Sequence, residues 1–195
     1  SLEIGLELKR EFANPGNMDG WLLSGTYFKN YYENKFRTYT KPGIPVSFYE
    51  NVPTADISGF EGRVAGYFLH KKLTFEFAIS DYSISDKAAF PFKYDTKLIA
   101  NMLVDHAGYS FQIHWFYESE QIGLIIDNDD TDYVRRGLVL PEYRNIDIHL
   151  GKTFEVWQLK LFANFTVRNL LNTEFDLAGI AIRDRRFYLS FGFEY

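Results

Sequence analysis

Apolar and polar residues alternate one by one over much of this chain, and that pattern restricts the backbone it can adopt. In a β-strand successive side chains point to opposite faces, whereas an amphipathic helix needs apolar residues three and four apart. The alternation is clearest in four segments: LEIGLELK (2–9), LTFEFAIS (73–80), YSFQIHWFYE (109–118) and WQLKLFANFTVR (157–168). The sequence therefore predicts an all-β protein whose strands each have one apolar face.

The alternation predicts about ten strands, and several of them are longer than the strands of soluble proteins. They span roughly residues 2–11, 21–32, 34–41, 57–69, 72–83, 92–105, 108–119, 141–151, 155–168 and 186–195. A soluble strand usually has about five or six residues, whereas a tilted strand needs about nine to eleven to cross a bilayer. The lengths favour strands that span a membrane.

Short and long connections alternate between these predicted strands. The short ones are 31–35, 70–72, 106–108 and 151–154, and the long ones are 12–20, 42–56, 84–91, 120–140 and 169–185. Outer-membrane barrels have tight turns at one end and long loops at the other. Together with the aromatic content of 18%, this layout predicts the wall of an antiparallel transmembrane β-barrel. A soluble β-sandwich that binds a ligand gives the same alternation and remains a third possibility.

Composition excludes several classes of function. The net charge is −5, so the chain has no basic surface for nucleic acid, and without cysteine it has no disulfide, thiol nucleophile or thiolate metal site. The first residues, SLEIGLELKRE, lack the basic and apolar regions of a signal peptide. We therefore expect either that the chain is not exported or that its native N-terminus lies elsewhere.

Catalytic and metal-binding motifs are absent from the sequence. The four histidines (70, 106, 114 and 149) have no metal-site spacing, and no nucleophile elbow, P-loop or HExxH motif is present. The acidic segment DNDDTD (127–132) lacks the glycine and the distal glutamate of a calcium loop, so it is interpreted as a solvated loop. We expect a protein that is not an enzyme and needs no metal or cofactor.

The end of the chain, RNLLNTEFDLAGIAIRDRRFYLSFGFEY, resembles the C-terminus of TonB-dependent outer-membrane receptors. Those proteins commonly contain a V-x-N-L-(L/F)-N-x-x-(Y/F) segment, then a loop, then a last strand that ends in an aromatic residue. The matching residues are Val167, Asn169, Leu170, Leu171, Asn172 and Phe175, followed by Arg186, Tyr188 and Tyr195.

An earlier segment, residues 25–64, resembles the same family. Its pattern is Y-F-x-x-x-Y-x-N-x-(I/F), followed by N-x-x-x-A-x-x-x-G-x-E. The first part is matched by Tyr27, Phe28, Tyr32, Asn34 and Phe36, and the second by Asn51, Ala55, Gly59 and Glu61. The two motifs occur in the family's order and together cover most of the chain.

The resemblance implies a 22-stranded barrel around a plugged lumen, of which residues 1–195 are the C-terminal part. The plug domain, the TonB box and the earlier strands are absent from this sequence. The implied function is active uptake of a scarce, bulky nutrient, such as an iron–siderophore, haem, cobalamin or a glycan, energised through TonB. The implied location is the outer membrane of a Gram-negative type of bacterium, with the long loops extracellular and the C-terminus periplasmic.

The resemblance also implies partners for the chain. They are the remaining barrel wall and plug, or another chain that completes the barrel, TonB through the missing N-terminal part, the outer-membrane insertion machinery, lipid and lipopolysaccharide. The apolar face of the last strand resembles the signal that this machinery recognises, and it consists of Phe187, Leu189, Phe191, Phe193 and Tyr195.

Two sets of polar residues are candidates for contacts inside or above the barrel. In the predicted loop 120–140, Tyr133, Arg135 and Arg136 are suited to an anionic ligand, because guanidinium groups bind multi-oxygen anions well. A solvated loop is the alternative role. The predicted lumen residues include Glu61, Arg63, Glu76, Gln112, His114, His149, Gln158, Lys160 and Arg168.

A complete small barrel is the alternative architecture. Ten strands are an even number and could close on themselves, which would make the chain an adhesin, a structural protein or a surface enzyme. In that case residues 2–9 would pair with residues 187–195 of the same chain. In a fragment of a larger wall, both of these edges would pair with polypeptide outside this sequence.

Overall fold

The computed structural model describes residues 1–14, 16–41, 44–129, 132–157, 159–174, 176–177, 180–181 and 184–194. Within these ranges it gives no side-chain description for 39–41, 44–45, 47, 124–129, 132–138, 176–177 and 180–181. The described residues are almost all β, as the alternation predicts, and the single described helix is one turn of 3₁₀ helix, Lys87–Ala89. No described helix has the length and apolar character to cross a membrane.

Thirteen strands occur along the described chain. They are β1 (Leu2–Glu11), β2 (Met18–Lys41), β3 (Ile44–Phe68), β4 (Leu73–Ile84), β5 (Thr96–His106), β6 (Tyr109–Glu118), β7 (Gln121–Asp129), β8 (Asp132–Leu140), β9 (Tyr143–Val156), β10 (Leu159–Arg168), β11 (Asp176–Leu177), β12 (Ile180–Ala181) and β13 (Arg186–Glu194).

Eleven of these strands form one sheet, and nine of the eleven form its continuous antiparallel part. The nine run in the order β1-β2-β3-β4-β5-β6-β9-β10-β13, and we call them the wall. The other two, β7 and β8, form a hairpin that meets β2 at a parallel bridge between Thr40 and Ile125. Successive wall strands along the chain are neighbours in the sheet, so the wall is an up-and-down meander. The β7–β8 hairpin is inserted between β6 and β9, and the β11–β12 pair between β10 and β13.

The register gives the nine wall strands one predominantly apolar face. Residues paired directly across an antiparallel sheet share a face, and one such row runs Phe77, Ala100, Trp115, Ile146. On the other face, a row runs Glu76, Asn101, His114, Asp147. The alternation predicted from the sequence is therefore confirmed, and we call the two sides the apolar face and the polar face.

Tight connections lie at one end of the wall, the turn end, and longer ones at the other, the loop end. The turn end carries the connections from β1 to β2, from β3 to β4 (69–72), from β5 to β6 (107–108) and from β9 to β10. The predicted turns at 70–72 and 106–108 agree with this arrangement. The predicted turns at 31–35 and 151–154 are wrong, since both segments lie inside strands, and the connection from β1 to β2 belongs to the turn end rather than to the long loops.

The two longest predicted loops are largely strand. Residues 42–56 were expected to be a loop, but β3 begins at Ile44, and β2 and β3 extend as a hairpin about 40 Å beyond the pairing of Ile57 with Ile84. Residues 120–140 contain the β7–β8 hairpin. Polar and turn-forming residues such as Asn34 and Pro53 obscured these strands, because pairing between the two arms overrides local propensity.

The wall does not close on itself within the described residues. There, β1 pairs with β2 alone and β13 with β10 alone, so residues 2–9 are not paired with 187–194. The closed ten-stranded barrel is therefore not the arrangement that these strands adopt. Each outer strand presents a row of unpaired backbone groups.

Very little of the described chain is buried, as expected for a single-layer sheet. The one cluster of buried apolar residues consists of Val52, Ala55 and Ala89. In contrast, Ile4, Phe191 and Phe193 on the apolar face are 64%, 73% and 72% exposed. Within the described residues, the wall has no protein core to cover its apolar face.

Candidate functional site: the polar face at the loop end

Aromatic and charged side chains converge on the polar face near the loop end. One group, the Tyr82 cluster, lies where β2, β3 and β4 meet the segment 85–95. A neighbouring cleft lies over β5, β6, β9 and β10. Both combine alternate residues of the wall strands, whose other residues form the apolar face, with residues of the connecting segments.

Gly59, Glu61 and Tyr82 interlock at the centre of the Tyr82 cluster. A Cβ atom at Gly59 would lie 2.6 Å from the carbonyl oxygen of Asp81 and would overlap the Tyr82 ring. Glycine at this position therefore lets the ring lie flat on β3. The Tyr82 hydroxyl donates a hydrogen bond to Glu61, which gives the G-x-E part of the sequence motif a direct structural role.

Lys93 lies beside the Tyr82 ring. Its Nζ atom is 4.0 Å from the centroid of the Tyr82 ring and 4.8 Å from that of Tyr94, distances at which a cation is attracted to the ring face. Burial lowers the pKa of Lys93, although the negative charge of Glu61 opposes this effect. The cluster therefore joins one cation, one carboxylate and two phenol rings.

The segment 85–95 is folded back against the strands rather than extended into solvent. The Asp86 side chain accepts a hydrogen bond from the backbone N–H of Ala88, as an N-cap residue does, and Lys87 forms an ion pair with Asp95. Ala89 is fully buried against Val52 and Ala55. The alanine of the N-x-x-x-A motif thus leaves room for this segment, which sequence reasoning had assigned in part to a strand.

The cleft beside this cluster has a volume of about 440 Å³. Its lining combines rings, amides and charged groups: Lys97, Ile99, His114, Phe116, Glu118, Tyr143, Asn145, Asp147, Arg168, Asn169, Asp184 and Arg186. Lys97 and Glu118 form an ion pair at 2.8 Å across β5 and β6, and His114 is hydrogen-bonded to Asn101. These pairs hold the floor of the cleft in place.

The RNLLN motif forms one side of the cleft. Asn169 is buried and adopts the left-handed conformation, with φ of 54°. Its side chain donates to the carbonyl oxygen of Thr173 at 3.0 Å and accepts from the N–H of Thr173 at 3.1 Å. Its own N–H donates to Asp147 at 2.8 Å. The motif asparagine therefore ties the chain after β10 to the polar face of β9.

Two arginines lie at the edge of the cleft. Arg186 forms an ion pair with Asp184 at 2.7 Å, which holds the pKa of that carboxyl below its usual range. The Arg168 guanidinium lies 5.7 Å from the centroid of the Tyr188 ring and has no carboxylate partner among the described residues. A guanidinium in this setting can bind an oxygen-rich or anionic group.

Only some of the predicted site residues lie in the described part of the structure. Tyr133, Arg135 and Arg136 lie in β8, and their side chains are outside the described residues, so their role in ligand binding stays a prediction. Phe187, Leu189, Phe191 and Phe193 lie on the apolar face of β13, whereas Tyr195 falls outside the described residues.

Among the predicted lumen residues, Arg63 and Glu76 form an ion pair at 2.6 Å across β3 and β4. Lys160 lies 3.9 Å from Glu194 across β10 and β13. The mixed-sign pairs expected on this face are thus present, while Gln158 lies outside the described residues. Sequence reasoning missed Tyr82, Lys93, Lys97 and Tyr143. The segment PFKY (91–94), with its lysine between two aromatic residues, was the available signal.

Comparison with solved structures identifies the architecture to which this wall belongs. The ferric enterobactin receptor PfeA of Pseudomonas aeruginosa, in a variant form, matches 97% of the chain at 20% identity and a TM-score of 0.58. The siderophore receptor PirA of Acinetobacter baumannii also matches 97%, at 14% identity and a TM-score of 0.58. The fold is that of an outer-membrane barrel wall. A second PfeA variant, solved in complex with enterobactin, matches at 20% identity and a TM-score of 0.56.

The likeness concerns fold and covers only part of each receptor. The chain spans 30% of the first PfeA structure and 31% of PirA. No protein-family model matches the chain, and no curated protein matches it by sequence.

Proposed function

We propose that this chain is part of the wall of a TonB-dependent outer-membrane transporter for a scarce, bulky nutrient. The observation that carries the proposal is the open nine-stranded wall, apolar on one face and polar on the other, with one unpaired edge at β1 and another at β13. Such a wall fits a large barrel with lipid outside and a polar lumen inside.

The unpaired edges imply more wall. In hydrocarbon an unsatisfied backbone N–H or C=O group costs several kcal/mol, so an open edge does not persist in a bilayer. An edge with the length of β1 or β13 would cost more than the roughly 5–15 kcal/mol that stabilises a whole domain. Under the proposal, both strands therefore pair with further strands of the receptor, or with another chain, and the polar face contacts a plug.

The site on the polar face supports a role in ligand passage. Its residues lie at the loop end, which under the proposal is extracellular, whereas the turn end and Tyr195 are periplasmic. Arg168, Lys93 and the nearby rings offer groups that bind bulky anionic or aromatic compounds. Both named receptors that share the fold are siderophore or ferric enterobactin receptors, so an iron–siderophore is the first substrate to test.

Uptake of radioactive iron supplied as ferric enterobactin tests the transport proposal. We expect cells that produce the full-length protein to accumulate the label, and to lose this accumulation when TonB is deleted or the proton gradient is collapsed. Haem, cobalamin and an oligosaccharide are tested in the same way. Absence of TonB-dependent uptake for all four classes would contradict the proposal.

Chemical cross-linking tests the architecture independently of the substrate. Residues 1–195 contain no cysteine, so Glu7→Cys and Ser190→Cys can be introduced together, one on each edge strand, in a full-length protein whose other cysteines, if any, are replaced by serine. A short bis-maleimide should not join them in the folded protein, since the edges pair elsewhere. The matched control is Thr166→Cys with Tyr188→Cys, whose backbones are paired across β10 and β13. Efficient joining of the first pair would favour the closed small barrel.

A further inference from the structure

We infer that the turn end of the apolar face carries a binding site for an anionic phospholipid. The site is a cleft of about 430 Å³ lined by Leu69, His70, Lys72, Leu73, Val104 and His106. This inference rests on the proposed membrane position of the wall, and it names a ligand that the transport proposal does not.

The floor of the cleft is apolar and belongs to the face that the proposal directs towards lipid. Leu73 and Val104 are directly paired across β4 and β5, at the last row before the turns. Leu69, in the connecting turn, is 47% exposed. The three side chains form a surface against which an acyl chain can lie.

The rim of the cleft is basic. His70, Lys72 and His106 are exposed at its edge, and none has a hydrogen-bond or ion-pair partner for its side chain among the described residues. The nearby Asp105 is paired in register with Ser110, which belongs to the polar face. Unpaired donors above an apolar floor match a lipid phosphate above its acyl chains.

The backbone holds the rim in a defined shape. Leu69, His70 and Lys71 all have positive φ values, between 56° and 61°, a backbone conformation that residues other than glycine rarely adopt. The turn is also held by β2, because the buried Asp19 accepts a hydrogen bond from the N–H of Lys71 at 2.7 Å. His70 and Lys72 are thus presented by a turn that is fixed before any lipid binds.

Neighbouring side chains mark this row as the level of lipid headgroups. Lys152 Nζ lies 3.3 Å from the centroid of the Tyr109 ring and donates a hydrogen bond to the carbonyl oxygen of Ala107 at 3.0 Å. Trp157, in the next turn, is 99% exposed. Aromatic residues and lysines at such a level form the girdle of membrane barrels.

Lipid retention by the full chain as the cell makes it, extracted in mild detergent, tests the inference. The probes are phosphatidylglycerol and zwitterionic phosphatidylethanolamine, and bound lipid is counted by native mass spectrometry. Because each basic group near a membrane surface contributes about a fivefold gain in affinity for anionic lipid, Lys72→Gln should weaken phosphatidylglycerol binding about fivefold. The triple variant His70→Gln, Lys72→Gln, His106→Gln should weaken it further, and neither should affect phosphatidylethanolamine.

A control that removes three lysines outside the cleft and a variant that leaves the charge unchanged separate the cleft from general electrostatics. The control is Lys9→Gln, Lys71→Gln, Lys160→Gln; its residues lie near the turn end and neighbour Glu11 or Glu194. It should retain phosphatidylglycerol like the natural chain. Val104→Trp fills the floor and should reduce retention with no change in charge. Glycerol phosphate, which lacks acyl chains, should not compete.

The possible failures are distinguishable. Equal retention of the two lipids by the natural chain, an unchanged triple variant, equal loss in the control, or displacement by glycerol phosphate would each overturn the inference and leave the transport proposal intact. Recovery of lipopolysaccharide instead of phospholipid would also overturn it. Partition of the natural chain into the aqueous phase would instead contradict the membrane wall itself.

Discussion

The two faces of the wall are made from alternate residues of the same strands, but only the polar face is satisfied by contacts within the chain. Glu61 accepts from Tyr82, Arg63 pairs with Glu76, and His149 is hydrogen-bonded to Thr166. The apolar face is mostly left without such contacts among the described residues, and Phe191 and Phe193 are 73% and 72% exposed there. The chain can therefore hold its polar face together, whereas its apolar face depends on the surrounding medium.

This difference explains how one sheet can serve as a boundary. Polar side chains find partners one strand away because mixed charges and hydroxyls face each other across the ladder. Apolar side chains gain free energy mainly by leaving water, at roughly 25 cal/mol for each Å² removed. Contacts along a single layer cannot supply that burial, so the apolar face needs a second apolar surface, which under the proposal is lipid. Substitutions that differ only in face should therefore have different consequences.

The largest effect is expected from a charge at mid-height on the apolar face. Ile113→Arg should destabilise the protein in a bilayer by about 2–4 kcal/mol, because arginine on the lipid face near the midplane must be desolvated. The matched control is Gln112→Arg, the preceding residue on the polar face, which should cost less than about 1 kcal/mol. Urea unfolding of the full chain in lipid vesicles measures both.

The same comparison can be repeated near the turn end, where the expected difference is smaller. Leu161→Arg should cost less than Ile113→Arg because the arginine can reach the interface, and Lys160→Gln should have little effect. Equal effects at Ile113 and Gln112, or at Leu161 and Lys160, would contradict a wall with lipid on one side only.

A substitution inside the Tyr82 cluster tests how tightly the polar face is packed. Gly59→Ala should destabilise by about 1–3 kcal/mol, because the new methyl group overlaps the Tyr82 ring and the Asp81 carbonyl. Gly16→Ala is the control, since a Cβ there meets no atom within 4 Å, and it should change stability by less than about 0.5 kcal/mol. Thermal unfolding in detergent compares them, and a neutral Gly59→Ala would refute this packing.

Tyr195→Asp tests whether assembly depends on the aromatic residue that follows β13. The substitution should lower the amount of folded protein in the outer membrane several-fold while leaving synthesis unchanged, because it places a charge in the alternating apolar series Phe187, Leu189, Phe191, Phe193, Tyr195. Tyr195→Phe should assemble normally. The measurement is the heat-modifiable fraction in outer membranes relative to total protein. Normal assembly of Tyr195→Asp would remove this role from Tyr195.

The smallest effect is expected at the exposed contact between Asp184 and Arg186. Since the folded-state pKa of Asp184 is lowered below its usual 3.8, the contact contributes above that pH and is lost as the pH falls through the lowered value. The hydrogen-exchange protection factor at residues 184–186, in which the intrinsic pH dependence of amide exchange is divided out, should therefore be the same at about pH 7 and pH 5 and decrease only below about pH 4. Asp184→Asn should remove this step, and a step near pH 6 would assign the transition to another group.

The strands of the wall were predictable because the alternation that marks each strand lies within a short stretch of sequence. Alternation in 73–80 and 109–118 gave both the strands and the faces, since side chains on a strand have a period of two. The tall β2–β3 hairpin was not predictable in this way. Asn34 adopts φ of 54° inside β2 and accepts a hydrogen bond from Asn51 across the hairpin, so a residue that usually marks a turn is held within a strand by its partner.

The candidate site was predictable only in outline. The motif residues Gly59, Glu61 and Asn169 could be found by resemblance, but their roles depend on Tyr82, Asp147 and Thr173, which lie elsewhere in the sequence. Lys93 had no visible role until the segment 85–95 was seen to fold against the strands. Nothing in the local pattern of PFKY indicates which tyrosine the lysine will meet.

The sequence by itself determined that this protein is a β-sheet with one apolar and one polar face. The reason is that the alternation within each strand already divides its side chains between the two faces, whichever strand lies beside it. Only the tertiary structure decided which strands are neighbours, that the wall remains open at β1 and β13, and which side chains meet on the polar face. These features depend on the pairing of segments far apart in the chain. The backbone hydrogen bonds of a sheet are the same for every pair of strands and every register. The choice of neighbour and of register therefore depends on the contacts that the side chains of the two strands make with each other.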